Sequence, residues 1–347
     1  MKKKIAVLFG GNSSEHEISL KSGRFIFETL DKRKYDLIPI LLNKKGEWLY
    51  PNTPINFIPG SVGMTSLELE SEFTKVFNNK SRNFPIFLEP DICFLGFHGG
   101  EGENGCIQGY LSTLRIPYTG SGITASSIAM DKFISNQIYE KNNFFVSPYF
   151  EIKKSDYLNK KDILLDSIFS YPYFVKPTNG GSSLCTGIVK NKIELDNILI
   201  NLFEIDNRAM LQKPIKGVEV SCGVIEKKVN NIFTPLPLFP TEIIPNGEFF
   251  DFESKYKLGG SKEITPARIS DYMMNTIRNL AVKAHSVLGC RGYSRTDFII
   301  ENEIPYILET NTLPGMTETS LIPQQVSHSG ETMSSVFDLL IENALQK

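Results

Sequence analysis

Apolar and polar positions along the chain follow alternating strand and helix periods. Residues 4–9 (KIAVLF) form an apolar run ending in Gly10 and Gly11, which predicts a buried strand. Ile18, Phe25, Ile26 and Leu30 then share a face at helical spacing, with Ser13 or Ser14 near the start, so a helix is expected next. YDLIPILL (35–42) and DICFLGF (91–97) are further apolar strands, and the stretch leading up to about residue 90 has no assigned element. This order predicts a parallel sheet with covering helices, ending near 118–122.

A second block opens with a helical pattern at 123–141. SPYFEI (147–152), YPYFVKP (171–177), a polar Gly-Gly-Ser-Ser loop (180–183), TGIV (186–189), a helix at 192–204 and RAMLQKP (208–214) follow. A third block starts near 216, where VEVSCGVI alternates as a strand. A polar, aromatic and glycine-rich segment spans 245–265. A helix at 270–288, strands at 296–300 and 304–310 and a final helix at 331–345 complete it. The chain is thus expected to divide into domains 1–120, 121–215 and 216–347.

Composition narrows the classes of function. The 347 residues suffice for two or three domains. Lys and Arg total 37 against 39 Asp and Glu, a net charge of −2, so no basic excess supports general binding to nucleic acid or a membrane surface. Cys93, Cys106, Cys185, Cys222 and Cys290 form no CxxC pair and read as reduced, small apolar residues of a cytoplasmic protein. The run at 5–9 is shorter than the roughly 7–15 residues of a signal-peptide core. No stretch reaches the roughly 18 apolar residues of a membrane span. The expected location is the cytoplasm.

The sharpest constellation lies on the last predicted hairpin. Glu309 and Asn311 are two apart on one strand and share a face. Mirroring the strands about residue 302 or 303 sets Asp297 opposite 307 or 309, and in either register Asp297 and Arg295 join that face. Paired acids on neighbouring strands repel unless a cation separates them. Oxygen donors without sulfur or imidazole suit Mg²⁺ or Mn²⁺. The bland alternative is a surface hairpin with solvated charges, opposed by the flanking Phe298, Ile299, Ile307 and Leu308.

Such an ion commonly shares phosphate oxygens. Lys176 and Lys213 each end an apolar strand just before a proline, and Lys132 opens a helical face. The 179–183 loop offers backbone N–H groups and hydroxyls. There is no GxxxxGK[ST] motif. GSGITA (120–125) matches a dinucleotide fingerprint but follows no first strand and lacks the acid about 20 residues on. His98 sits in a glycine-rich turn after a strand, where a substrate role is open. His16, His285 and His328 read as structural, and the four histidines make no zinc site.

GGNSSE (10–15), HGGEGENG (98–105), YTGSG (118–122), MDK (130–132), VKP (175–177), GSS (181–183), ESKY (253–256), RTD (295–297) and ETNTLPGMT (309–317), in this order from residue 4 to about 345, resemble the D-alanine–D-alanine ligase family. The resemblance implies a mixed α/β architecture: an ATP-grasp fold behind an N-terminal Rossmann-like parallel-sheet domain. It implies ATP as co-substrate, two Mg²⁺ (or Mn²⁺) ions on Asp297, Glu309 and Asn311, D-alanine as the amino acid, and a homodimer. By resemblance Lys132, Lys176, Ser183 and Lys255 contact phosphates. Gln212, Lys213, Pro214 and Ile215 line the adenine pocket, and Glu219 binds ribose. Glu15 binds the first substrate's ammonium and, with Ser182 and Tyr256, tethers a lid. Arg295 and the Gly315 N–H stabilise an oxyanion. Ser320 and Leu321 hold the second substrate's carboxylate, near His98.

The chain departs from the family pattern at two places. Gln212 stands where most members have Glu, so the adenine amino group meets an acceptor without charge. Ser183, Leu184 and Cys185 replace Ser-Val-Gly. Tyr256, where members that use D-lactate tend to carry Phe, implies D-alanine as second substrate. Without the family, Glu15 reads as a helix-start acid. A different ATP-dependent carboxylate–amine ligase would keep the hairpin and lysines but lose the Glu15–Tyr256 pairing. A nicotinamide oxidoreductase would use the 120–125 glycines, and a silent binding module would lack a chemistry-bearing position.

Overall fold

The first apolar run forms β1 (Lys3–Gly10) in the computed structural model, which describes residues 2–59, 66–159, 170–180, 185–245 and 261–346. β2 (Tyr35–Leu42) pairs with β1 in parallel. β3 (Trp48–Tyr50) and β4 (Asn79–Ser81), which the hydrophobic pattern did not mark, extend the sheet antiparallel, and β5 (Ile92–Leu95) flanks β1 in parallel on its other side. The order is β4-β3-β2-β1-β5. Phe73 and Phe77, stacked on each other at 5.2 Å, cover Phe9 of β1, so the unassigned stretch supplies part of this core.

The expected helix runs His16–Thr29; Ile26 and Leu30 of the expected face are buried, but Ser19, Leu20, Ser22, Gly23 and Phe27 fill the rest of it in place of Ile18 and Phe25. Close packing decides this: a Cβ at position 23 would lie 2.3 Å from the Phe9 ring. Ile18 is thereby freed to line a cleft. The C-terminal helix Met333–Leu345 packs back against this sheet and its helix, with Phe337 edge-on to Phe94 and Phe25 at 5.0 and 6.2 Å.

The pattern at 123–141 resolves into two helices, Ile123–Met130 and Lys132–Lys141. Asp131 takes an extended backbone between them, and its carboxylate accepts the N–H groups of Phe133 and Ile134 at 3.1 and 2.9 Å. An N-cap that starts a new helix also ends the old one. The 118–122 glycines form a joint: the Arg291 guanidinium donates to the Tyr118 and Gly120 carbonyls, both at 2.9 Å.

A second, antiparallel sheet contains β6 (Tyr149–Lys153), β7 (Tyr173–Pro177), β8 (Gly187–Val189) and β9 (Arg208–Gln212) in the order β6-β9-β7-β8. Tyr173, Val175, Ala209 and Leu211 pack on Leu195, Leu199 and Leu202 of the helix Lys192–Leu202. Strand alternation puts Lys176, Arg208, Met210 and Gln212 on the opposite face.

The third sheet comprises β10 (Val218–Val229), β11 (Ile232–Pro237), β12 (Thr241–Pro245), β13 (Ser261–Ile264), β14 (Tyr293–Glu301) and β15 (Ile304–Asn311). Its path is β13-β12-β10-β14-β15, with β11 paired to the far half of β10. Val220, Cys222, Val224, Phe298 and Ile300 face the helix Asp271–Val287, so Glu219, Ser221, Arg295 and Asp297 face the other way. The helix Leu321–His328, also unmarked by pattern, covers that second face: Gln325 accepts from Gly223 N–H and donates to the Ser221 carbonyl, both at 2.9 Å. Among the described residues no helix is long and apolar enough to cross a membrane.

Candidate active site

The β14–β15 hairpin is shaped by a bulge. Near the turn Ile300 pairs with Pro305 and Phe298 with Ile307, a register centred between residues 302 and 303. Continued unbroken, it would set Asp297 opposite Leu308. The register shifts between Asp297 and Phe298, so Asp297 faces Glu309 and Arg295 faces Asn311. Neither simple mirror gives the whole ladder; the extra residue re-aims both acids onto one face.

Asp297 is the best-held group there. Its oxygens accept from Arg295 Nε and Nη2 at 2.9 and 2.8 Å, from Ser221 Oγ, and from Asn311 Nδ2 at 3.2 Å. It is 7 % exposed. Lys132 Nζ lies 4.0 Å from Glu309 Oε2 and donates to the Gly180 carbonyl, joining the hairpin to the second sheet. The start of the Lys132 helix is fixed in turn. Lys132 N–H donates to the Thr178 carbonyl at 2.9 Å and Thr178 N–H to the Arg208 carbonyl at 3.0 Å, while Arg208 pairs with Asp131 and Glu151.

Two carboxylates and an amide, with no sulfur or imidazole, fit a hard divalent cation. Asn311 uses its NH₂ group on Asp297, which leaves its carbonyl oxygen out of that bond. Among the described residues no group of three or more His, Cys, Asp or Glu is placed to hold a metal ion. All five cysteines are free, and burial pushes the Cys222 and Cys290 thiols up to about 12.

One cleft brings together Glu15, His98, Lys132, Arg295, Glu309, Asn311, Gly315, Ser320 and Leu321 from widely separated stretches of chain. A Cβ at Gly99 would meet Glu15 Oε2 at 2.4 Å, so the glycine makes room for that carboxylate. A Cβ at Gly315 would lie 2.7 Å from Ser320 Oγ. Ser320 Oγ accepts from Thr317 N–H at 3.0 Å, which folds the 315–320 turn. Lys176 and Gln212 are buried on the second sheet. Lys213 has an exposed side chain and a peptide fixed to Pro148, and Glu219 sits half-buried on β10; none of these lines the cleft. Ser182, Ser183, Lys255 and Tyr256 lie outside the described residues, as does most of the 245–265 segment.

His98 has both ring nitrogens engaged, one with the Leu313 carbonyl at 3.0 Å and the other with Ser22 Oγ at 2.7 Å. Burial lowers its pKa, so the ring is neutral, with Nδ1–H donating and Nε2 accepting. Pattern reading missed Glu103, although HGGEGENG contains it. It lines the same cleft and is 9 % exposed. Its Oε1 accepts from Thr312 and Leu313 N–H at 3.1 and 2.9 Å, and its Oε2 from Gly99 N–H at 3.0 Å.

Burial, helped by the nearby Glu15 charge, pushes the Glu103 carboxyl from 4.5 up to about 7. Between those values the native state binds a proton that the unfolded chain has released, so stability falls as pH rises through the window, by about 3 kcal/mol. Glu103→Gln is expected to remove that slope. Urea unfolding of both proteins at pH 4.5 and pH 8 checks it: the variant should gain on the wild type at pH 8, and an equal difference at both pH values would contradict the prediction.

Paired acids, an arginine and a lysine that bridges to the second sheet fit the class of ATP-grasp carboxylate–amine ligases. Residues 4–121 match the family model described as D-ala D-ala ligase N-terminus, and residues 138–342 that described as D-ala D-ala ligase C-terminus. The D-alanine--D-alanine ligase of Leptospira interrogans is 50% identical over 346 residues, covering 99% of each chain. That of Clostridium beijerinckii is 36% identical over 344 residues, again covering 99% of each. Among solved structures, the VanG D-Ala:D-Ser ligase from Enterococcus faecalis superposes with a TM-score of 0.83 at 30% identity, covering 99% of this chain and 100% of that one. The Bacillus anthracis D-alanine--D-alanine ligase complexed with ATP gives 0.74 at 29% identity, covering 99% and 98%. The chain belongs to the D-alanine–D-alanine ligase family, with its ATP-grasp fold and its ATP-dependent ligase activity.

Proposed function

We propose that this chain couples ATP cleavage to the joining of two D-alanine molecules, supplying D-alanyl-D-alanine for peptidoglycan precursors. The observation that carries the reading is the single cleft in which Glu15, Arg295, Glu309, Asn311 and Gly315 meet. A carboxylate oxygen of the first D-alanine takes the γ-phosphoryl group of ATP, forming D-alanyl phosphate and ADP. The second D-alanine loses an ammonium proton, and its nitrogen lone pair attacks the acyl carbon. The nitrogen of the tetrahedral adduct gives up a second proton to solvent or the departing phosphate, the oxyanion collapses, the carbon–oxygen bond to phosphate breaks, and phosphate leaves with the dipeptide amide formed.

Glu15 holds the first ammonium, and Arg295 with the Gly315 N–H receives the oxyanion; preorganised donors of this kind are worth about 3–4 kcal/mol each. Lys132 and Lys176, with Ser183 and Lys255, hold phosphates. Gln212 to Ile215 bound the adenine and Glu219 the ribose. Ser320 and Leu321 hold the second carboxylate, Ser182 and Tyr256 close over Glu15, and closure protects the acyl phosphate from water. Asp297, Glu309 and Asn311 would hold two Mg²⁺ or Mn²⁺ ions, which neutralise phosphate charge when bound. The division into 1–120, 121–215 and 216–347, a homodimeric state and a cytoplasmic location complete the reading.

The test is ADP release and dipeptide formation with ATP, Mg²⁺ and D-alanine, against L-alanine, D-serine and D-lactate. Turnover is expected with D-alanine and not with L-alanine, with D-alanyl-D-alanine as product. Equal turnover with both enantiomers, or none with either, would contradict it. Faster mixed ligation with D-serine or D-lactate would shift the second substrate.

A further inference from the structure

Among the described residues, Glu103 is a buried carboxylate of the cleft with no part in the proposed chemistry, yet it accepts from three backbone N–H groups. Its three N–H partners come from two places far apart in sequence: Gly99 of its own loop, and Thr312 and Leu313 about 210 residues on. The loop 98–103 also presents Gly99 to Glu15. The segment after Leu313 continues through Pro314 to Gly315. Two further bonds cross the same boundary: His98 Nδ1–H donates to the Leu313 carbonyl, and Met316 N–H points to Ser22 Oγ at 3.4 Å.

We propose that Glu103 is a positioning residue for acyl transfer: its carboxylate locks the 312–315 segment to the loop that seats Glu15, and so sets the distance between the bound first amino acid and the Gly315 N–H. The claim rests on the proposed oxyanion role of Gly315. A carboxylate suits the task because it is acceptor-only. An amide in its place can still accept from Thr312 and Leu313, but its NH₂ then faces the Gly99 N–H, and one side of the lock opens. A buried anion costs stability in return, as its raised pKa indicates. Destabilised groups kept at a site are expected where function needs them.

The experiment compares wild type, Glu103→Gln and Glu103→Ala for kcat of dipeptide formation, KM for ATP, ADP affinity by calorimetry, and Tm at pH 8. A misplacement near 1 Å costs roughly 100-fold in rate. Glu103→Gln is expected to lose about that much kcat, and Glu103→Ala more. KM for ATP and ADP affinity should stay within about twofold and the Tm of Glu103→Gln should not fall, since the nucleotide site is untouched. A kcat within threefold of wild type in both variants overturns the proposal. So does a fall in ADP affinity or Tm in step with kcat, which marks a merely structural role. Ser22→Ala supplies a second check, with kcat lowered at unchanged ADP affinity; unchanged kcat there counts against the lock. If wild type itself makes no dipeptide, the functional reading fails before any variant is compared.

Discussion

Glu309→Gln and Asp297→Asn are each expected to lower kcat by roughly 1,000-fold or more, because each removes a carboxylate that would neutralise transferring phosphate. The two should differ in side effects. Glu309 meets the Lys132 ammonium at 4.0 Å across the cleft, so its loss also frees the lysine that joins the hairpin to Gly180. Asp297 is held by Arg295, Ser221 and Asn311, so its amide variant leaves the Arg295 guanidinium without its bidentate partner. ADP release at saturating ATP, repeated over a range of Mg²⁺ concentrations, measures both. Either variant within threefold of wild type at all Mg²⁺ levels would show that the carboxylate has no part in phosphoryl transfer.

Arg295→Lys should be nearly as damaging as Arg295→Met, each losing about 100- to 1,000-fold in kcat. The reason is geometric. The guanidinium spans both oxygens of Asp297 in a planar fork while remaining part of the cleft wall, and a single ammonium cannot do both. Removing it also leaves a nearly buried carboxylate with fewer partners, so a drop in Tm accompanies the rate loss. A lysine variant with wild-type kcat would show that only the charge matters.

The parallel start of the N-terminal sheet was legible because its strands are continuous apolar runs, and so was the hairpin, whose alternation puts Asp297, Glu309 and Asn311 on one face when the strands are mirrored about residue 302 or 303, though not in the register that the turn itself sets. The bulge at Asp297 was not, since one unpaired residue leaves the alternation of each strand intact. The break at Asp131 was hidden because helical spacing continues across it, although an aspartate before a helix is a cap signal. Glu103 could not be read from spacing at all: its partners at 312 and 313 are neighbours only once the N-terminal loop meets the third sheet. Resemblance to the family gave roles to Glu15 and Gly315, which pattern alone would leave as a helix-start acid and a turn glycine. β3, β4 and the helix Leu321–His328 escaped because they are short and their burial comes from tertiary packing.

Whether the paired acids grip a nucleotide through a divalent ion is decided by a crystal grown with Mn²⁺ and a non-hydrolysable ATP analogue, read through the anomalous signal of manganese. The expected result is manganese bound between the analogue's phosphates and oxygens of Asp297, Glu309 and Asn311, with Arg295 released from at least one Asp297 oxygen. Nucleotide bound without manganese at those side chains, and the Arg295–Asp297 fork intact, would contradict it.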